Sequence, residues 1–146
     1  MNSLFFERNY PFGLSVVSLV AIVALDDILG FIDAYVSMDE NVFEASVAVG
    51  AIFAGFVTLS RDTVQSCSDP RMIRILNSSY GKLLKRYINS SFGTSVSFVV
   101  VSFVFLLLKN EVIEAHIRGV FCTWFFFFCY MILSFRRNRV IISNLM

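Results

Sequence analysis

Four long apolar stretches, two on each side of a basic segment, constrain this chain more than anything else in it. No charged side chain occurs from residue 90 to 108, where Val, Phe and Leu dominate, and none from Leu14 to Leu25. About 20 apolar residues in a helix cross a hydrocarbon core about 30 Å thick. Inside that core the backbone has only itself to bond with, so helices are the available form. The chain is 57% hydrophobic, with a mean hydropathy of +0.73. A soluble domain is about 45–50% apolar, and here the excess lies in runs rather than spread through a core. The sequence therefore predicts an all-α integral membrane protein with four transmembrane helices, in one domain over residues 1–146.

Helix 1 is expected over about residues 12–36, with Pro11 in its opening turn. A cleaved signal peptide fits poorly, since Glu7-Arg8 is a weak basic start and Asp26-Asp27 stand where small residues would be needed. Helix 2 is expected over about 42–60, helix 3 over about 90–108 and helix 4 over about 112–135. Helix 3, being uncharged, reads as the most lipid-exposed.

Residues 61–89 carry Arg61, Arg71, Arg74, Lys82, Lys85 and Arg86. Asp69-Pro70 reads as a helix start, and Ile73, Leu76, Tyr80, Leu83, Leu84 and Tyr87 recur at steps of three and four. This predicts a cytoplasmic amphipathic helical segment between helices 2 and 3, bent or split near Gly81. Lying in the headgroup layer, it would turn Arg71, Arg74, Lys82, Lys85 and Arg86 toward anionic lipid. The competing reading packs its apolar side on the bundle or on a partner protein.

Basic residues fix the orientation. Arg8, the six bases of residues 61–89, and Arg136, Arg137 and Arg139 fall on one side; Lys109 and Arg118 fall on the other. Both termini and the basic segment are therefore expected in the cytoplasm, in a bacterial inner (plasma) membrane. The Asn-x-Ser patterns at Asn77 and Asn89 then carry no meaning. Cys67, Cys122 and Cys129 are expected as reduced thiols.

Carboxylates at membrane depth are the strongest chemical signal, because an unpaired charge there is expensive. Helix rise puts Asp26 roughly 21 Å and Asp33 roughly 31 Å beyond Phe12. Asp26 and Asp33 share a face, with Asp27 about 100° away. They could line a cation or proton path, or simply be wet or paired. Arg118 falls at a matching depth, so an ion pair between helices 1 and 4 is geometrically feasible, with Glu114 the competing partner. His116 stands alone, which suits pH sensing better than metal binding.

Helix 2 offers Ser46, Gly50 and Ala54 at steps of four, with Ala48, Ala51 and Gly55 beside them. Small residues let helix backbones approach closely in lipid, within one chain or across a homo-oligomer seam. No catalytic constellation, metal site or cofactor loop is readable. The basic segment is apolar enough to favour lipid over nucleic acid.

The stretch Ala51-Ile-Phe-Ala-Gly-Phe-Val-Thr-Leu-Ser60, then Asp69-Pro70, Ser79-Tyr80-Gly81, Leu83-Leu84 and Tyr87, resembles small multi-pass bacterial membrane proteins, some of which belong to anti-phage defence systems such as Kiwa. The resemblance covers roughly a third of the chain. It implies a non-enzymatic component that senses or perturbs the inner membrane alongside a soluble partner. Small multidrug exporters also have four helices, but their short loops and mid-membrane acid do not fit the long basic segment here. The expectation is an oligomeric membrane sensor or effector with a cytoplasmic partner. The alternative is a small cation- or proton-coupled channel or transporter.

Overall fold

A computed structural model describes residues 2–30, 32, 40–66, 68, 70–108 and 110–143; the side chains of 2–8, 40, 71, 72, 75, 79 and 110 fall outside that description. The chain forms α1 (Asn2–Leu29), α2 (Glu40–Ser66), α3 (Pro70–Leu76), α4 (Ser79–Leu106), α5 (Asn110–Ala115) and α6 (Ile117–Ser143), with no strand among the described residues. Four of these, α1, α2, α4 and α6, are long and apolar enough to cross a membrane. They are the four stretches that hydropathy picks out.

Their ends differ from the expected ones, for local reasons. α1 stops at Leu29, seven residues earlier than hydropathy suggests, because Gly30 turns left-handed at φ +59°. That conformation ends a helix at little cost only for glycine. Pro11 lies inside α1, not in its first turn, and its carbonyl accepts from the Ser15 hydroxyl at 2.7 Å. Residues 61–66 simply continue α2, since nothing between Arg61 and Ser66 breaks a helix. Lys82, Lys85 and Arg86 lie in the opening turns of α4.

Of the basic segment, only α3 stands as a separate helix. The chain breaks at Asn77-Ser78, where Ser78 caps α4 by accepting from the Tyr80 N–H at 3.2 Å. Gly81 follows one turn on. A Cβ there would collide with the Leu76 backbone, so glycine permits the sharp return of α4 past α3. At the other end of the chain, α6 runs through Arg136, Arg137 and Arg139 to Ser143.

Spatial order does not follow chain order. α4 packs on both α2 and α6, α1 packs on α6, and α2 meets α6 only lightly. The helices thus stand in the order α1, α6, α4, α2. The end where α1 finishes and α6 begins is here the Asp26 end; the opposite end, carrying α3, is the basic end.

Two apolar clusters brace the ends. Phe43, Ile113 and Val120 pack at the Asp26 end, with Phe105, Phe121 and Trp124 against them. Val57, Val64, Leu84 and Ile88 pack at the basic end, with Leu76, Phe135 and Ile142 against them.

Between the clusters α4 supplies buried hydroxyls and a buried ring, namely Ser91, Thr94, Ser95, Ser102 and Phe98. Ser91 donates across to the Ser134 carbonyl at 2.8 Å, and Ser95 back to the Ser91 carbonyl at 3.0 Å. Trp124 donates from Nε1 to the Ser46 hydroxyl at 2.9 Å, tying α6 to α2. The expectation that this helix faces lipid most is therefore corrected. A third of its spanning window is buried, the largest share of the four, against 11% for α1. Lack of charge does not mean a lipid-facing side when small hydroxyls line one face and find carbonyls to bond.

Candidate functional site

The last turn of α1 and the first turn of α6 bring opposite charges together. Asp26 is 3% exposed. Its backbone carbonyl accepts from the Gly30 N–H at 2.6 Å, and its Oδ1 accepts from the Ile32 N–H at 2.8 Å. Its Oδ2 lies 3.5 Å from Arg118 Nε, whose side chain is half exposed. The left-handed Gly30 folds the chain back over Asp26 and delivers the Ile32 amide to the carboxylate. One side chain thus closes its own helix and grips a neighbour.

Helix dipoles give this pair an unusual balance. A carboxylate at the C-terminus of its helix and a cation at the N-terminus of its helix are each disfavoured, typically by about 0.3–1 kcal/mol. Asp26 and Arg118 are both in that position. α1 and α6 run antiparallel, however, so docking brings each charge to the favourable end of the other helix. At 3.5 Å the contact is an ion pair rather than a short charge-assisted hydrogen bond, for which about 2.7–2.9 Å is usual. Undocking would return both charges to their own unfavourable ends.

Toward its other end, α1 is also held by rings. Phe12 meets Phe126 at 5.8 Å and Tyr130 at 5.9 Å between ring centroids, in edge-to-face geometry.

The remaining sequence-selected acids and His116 are not gathered here. Asp27 is exposed on the next position of α1. Asp33 lies outside the described residues. Glu114 is exposed on α5. His116 sits at the break between α5 and α6, exposed, with Nδ1 3.2 Å from the Val112 carbonyl. Among the described residues, no three His, Cys, Asp or Glu side chains converge in a manner that could hold a metal ion.

The two small-residue rows of α2 separate. Ser46 and Gly50 are buried, and Ala54 is partly so. A Cβ at Gly50 would lie 2.6 Å from Val99 Cγ2 and 3.1 Å from Phe98 Cδ1. This row seats α2 on α4 within one chain. Ala48, Ala51 and Gly55 are exposed, and a Cβ at Gly55 would meet nothing within 4 Å.

The amphipathic pattern of the basic segment also divides. Leu84 and Tyr87 are buried in the bundle, whereas Ile73 and Tyr80 are exposed. Lys82, Lys85 and Arg86 point outward from α4 and Arg74 from α3, while Arg71 is placed only by its backbone. The apolar positions on α4 thus serve the core, which replaces the picture of one continuous face lying in the headgroups.

A second polar group was not singled out by sequence. Arg137 and Asn138 are 4% and 3% exposed near the basic end of α6. The Arg137 guanidinium carbon stands 4.3 Å from the centroid of the Tyr87 ring, a cation–π arrangement. The signal was present, since Met131, Ser134, Arg137 and Asn138 keep helical spacing and all are buried. Ending helix 4 at Phe135 hid it.

No family model, curated protein sequence or solved structure matches this chain.

Proposed function

We propose that this protein is a non-enzymatic membrane sensor or effector whose moving part is α1. The observation that carries the reading is the attachment of that helix. It packs chiefly on α6, is the least buried of the four, and is fastened at one end by the Asp26–Arg118 pair. A helix held this way changes position at small cost while the α2–α4–α6 packing stays intact. Membrane thinning or a change in potential acts directly on charges at that depth.

In this reading both termini and the basic end face the cytoplasm, as the distribution of Lys and Arg favours. Arg74, Lys82, Lys85 and Arg86 then meet anionic headgroups or a cytoplasmic partner. Self-association uses the outward row of Ala48, Ala51 and Gly55, which is exposed on α2. The resemblance to membrane components of anti-phage systems supports a place in defence. A cation-coupled channel is the second reading, favoured by the exposed Asp27 beside Asp26.

Spin labels at Val17 and Val140, both exposed, report the α1–α6 distance in lipid discs. Arg118→Gln is expected to broaden that distribution and to change the leak of a potential-sensitive dye from cells making the protein. An unchanged distribution and unchanged leak would sink the sensor reading. Flux of cations in liposomes that is lost in Asp27→Asn would favour the channel. Orientation is checked by labelling Ser78→Cys and Asn41→Cys, which should react from opposite sides of the membrane.

A further inference from the structure

At the basic end, the groove between α2 and α6 opens into a cleft of about 260 Å³. Val57 and Ser60 line it from α2; Phe135, Asn138, Arg139 and Ile142 line it from α6. The cleft exists because α2 and α6 each pack on α4 but meet one another only lightly. With Ser143, which also lines it, these α6 residues share one face by their spacing of three, four, seven and eight. Arg137 is turned away from it, over the Tyr87 ring, and this stacking fixes the rotation of the helix end.

The lining is divided by chemistry. Val57, Phe135 and Ile142 form an apolar wall, with Val57 1% exposed. Ser60, Asn138, Arg139 and Ser143 are polar, and among the described residues no carboxylate lines the cleft. Asn138 is 3% exposed, and both its amide nitrogen and its amide oxygen lack a hydrogen-bond partner among the described residues. Buried amides are nearly always bonded, so a pair of open amide atoms in a cleft wall marks a place where a polar ligand group is accommodated. The cleft also sits at the ends of two candidate spans, Asn41–Ser66 and Ile117–Ser143, where hydrocarbon gives way to headgroups.

We propose that this cleft binds one anionic phospholipid. Its phosphate sits against the Arg139 guanidinium with the Ser60 hydroxyl nearby, a glycerol or ester oxygen meets the Asn138 amide, and an acyl chain follows Val57 and Phe135 into the bilayer. A free phosphate or sugar phosphate shares the headgroup chemistry but would leave the apolar wall uncovered. The site is separate from the Asp26–Arg118 pair and does not depend on the sensor reading.

Full-length protein, delipidated in detergent and titrated with phosphatidylglycerol or phosphatidylcholine, tests this by native mass spectrometry. Wild type should retain one phosphatidylglycerol in preference to phosphatidylcholine. Arg139→Gln removes one charge-assisted bond and should weaken that preference by about tenfold. Ser60→Phe, which fills the mouth of the cleft from a partly buried position, should abolish retention of both lipids. Arg136→Gln, exposed on α6 but not lining the cleft, serves as the charge control and should change little. Each variant is scored only if its helical circular dichroism and elution match wild type, and Asn138→Leu gives a second probe if one of them misfolds. Equal retention of the two lipids by wild type would overturn the proposal. So would equal losses in Arg139→Gln and Arg136→Gln, which would reveal diffuse surface charge. Displacement of the lipid by millimolar inorganic phosphate would show an anion site instead and would also overturn it.

Discussion

α1 and α4 are both long, apolar and able to cross a membrane, yet they are held in opposite ways. α4 has neighbours on two sides and meets them through hydroxyls, a glycine contact and the Phe98 ring, which pairs with Trp124 at 6.0 Å and Phe128 at 5.8 Å. α1 has one main neighbour, and its contacts there include two ring pairs and an ion pair. Lipid tails are as apolar as leucine, so hydrophobicity distinguishes neither helix. What differs is the supply of close, directional contacts. The helix that buries a row of small hydroxyls becomes the centre; the helix whose span carries Asp26 stays at the edge, where that carboxylate finds a mate.

The sharpest way to break this comparison is at Gly50. Gly50→Leu drives a side chain into Val99 and Phe98, and overpacking of this kind costs about 1–3 kcal/mol or more. Thermal unfolding in mild detergent should show a clearly lowered midpoint; an unchanged one would mean that α2 does not sit on α4 as described.

Next in size is Arg118→Gln. It leaves the buried Asp26 carboxylate with the Ile32 N–H as its remaining donor, a loss of about 1–3 kcal/mol. Hydrogen exchange should quicken in α1 and not in α4. Equal quickening of both would erase the distinction between edge and centre. Ser91→Ala removes the bond to the Ser134 carbonyl and should cost about 0.6 kcal/mol, the average for such bonds in a membrane bundle. A double-mutant cycle is not needed here, because the acceptor is backbone; the unfolding midpoint suffices.

The smallest effect on stability is expected from Gly55→Leu, since nothing lies within 4 Å of the added Cβ. Its readout is assembly. Light scattering in lipid discs should show a smaller particle than wild type if the outward row is a seam. An already monomeric wild type would dismiss the seam without touching the fold.

The existence of the four spans was legible because an uncharged run of that length has few alternatives in water or lipid. Their ends were not. Hydropathy falls at Arg61 and Phe135, but a helix answers to backbone geometry, and Ser, Thr, Gln and Arg continue it readily. The boundaries that backbone geometry sets are the left-handed Gly30, which ends α1, and the Ser78 cap, which starts α4. The matching depth of Asp26 and Arg118 was readable because both stand at the same end of the bundle, Asp26 in the last turn of α1 and Arg118 in the first turn of α6. Which helix sits in the middle was not readable. That depends on Ser91, Ser95 and Ser102 sharing a face with Phe98, and hydropathy counts residues without regard to face.

The order of the helices in space sets a timetable for their making. α1 leaves the ribosome well before α6, its chief neighbour, and at about 5–20 residues per second the chain between Leu29 and Ile117 takes roughly 4–18 s to synthesise. During that interval α1 stands in the bilayer without its mate, and Asp26 without Arg118. A helix under that obligation must hold its place unaided. The span of α1, Asn9–Leu29, has the highest hydropathy of the four, 2.1, and keeps its two carboxylates, Asp26 and Asp27, to the last turn, where a newly inserted segment can leave them in water until the partner arrives.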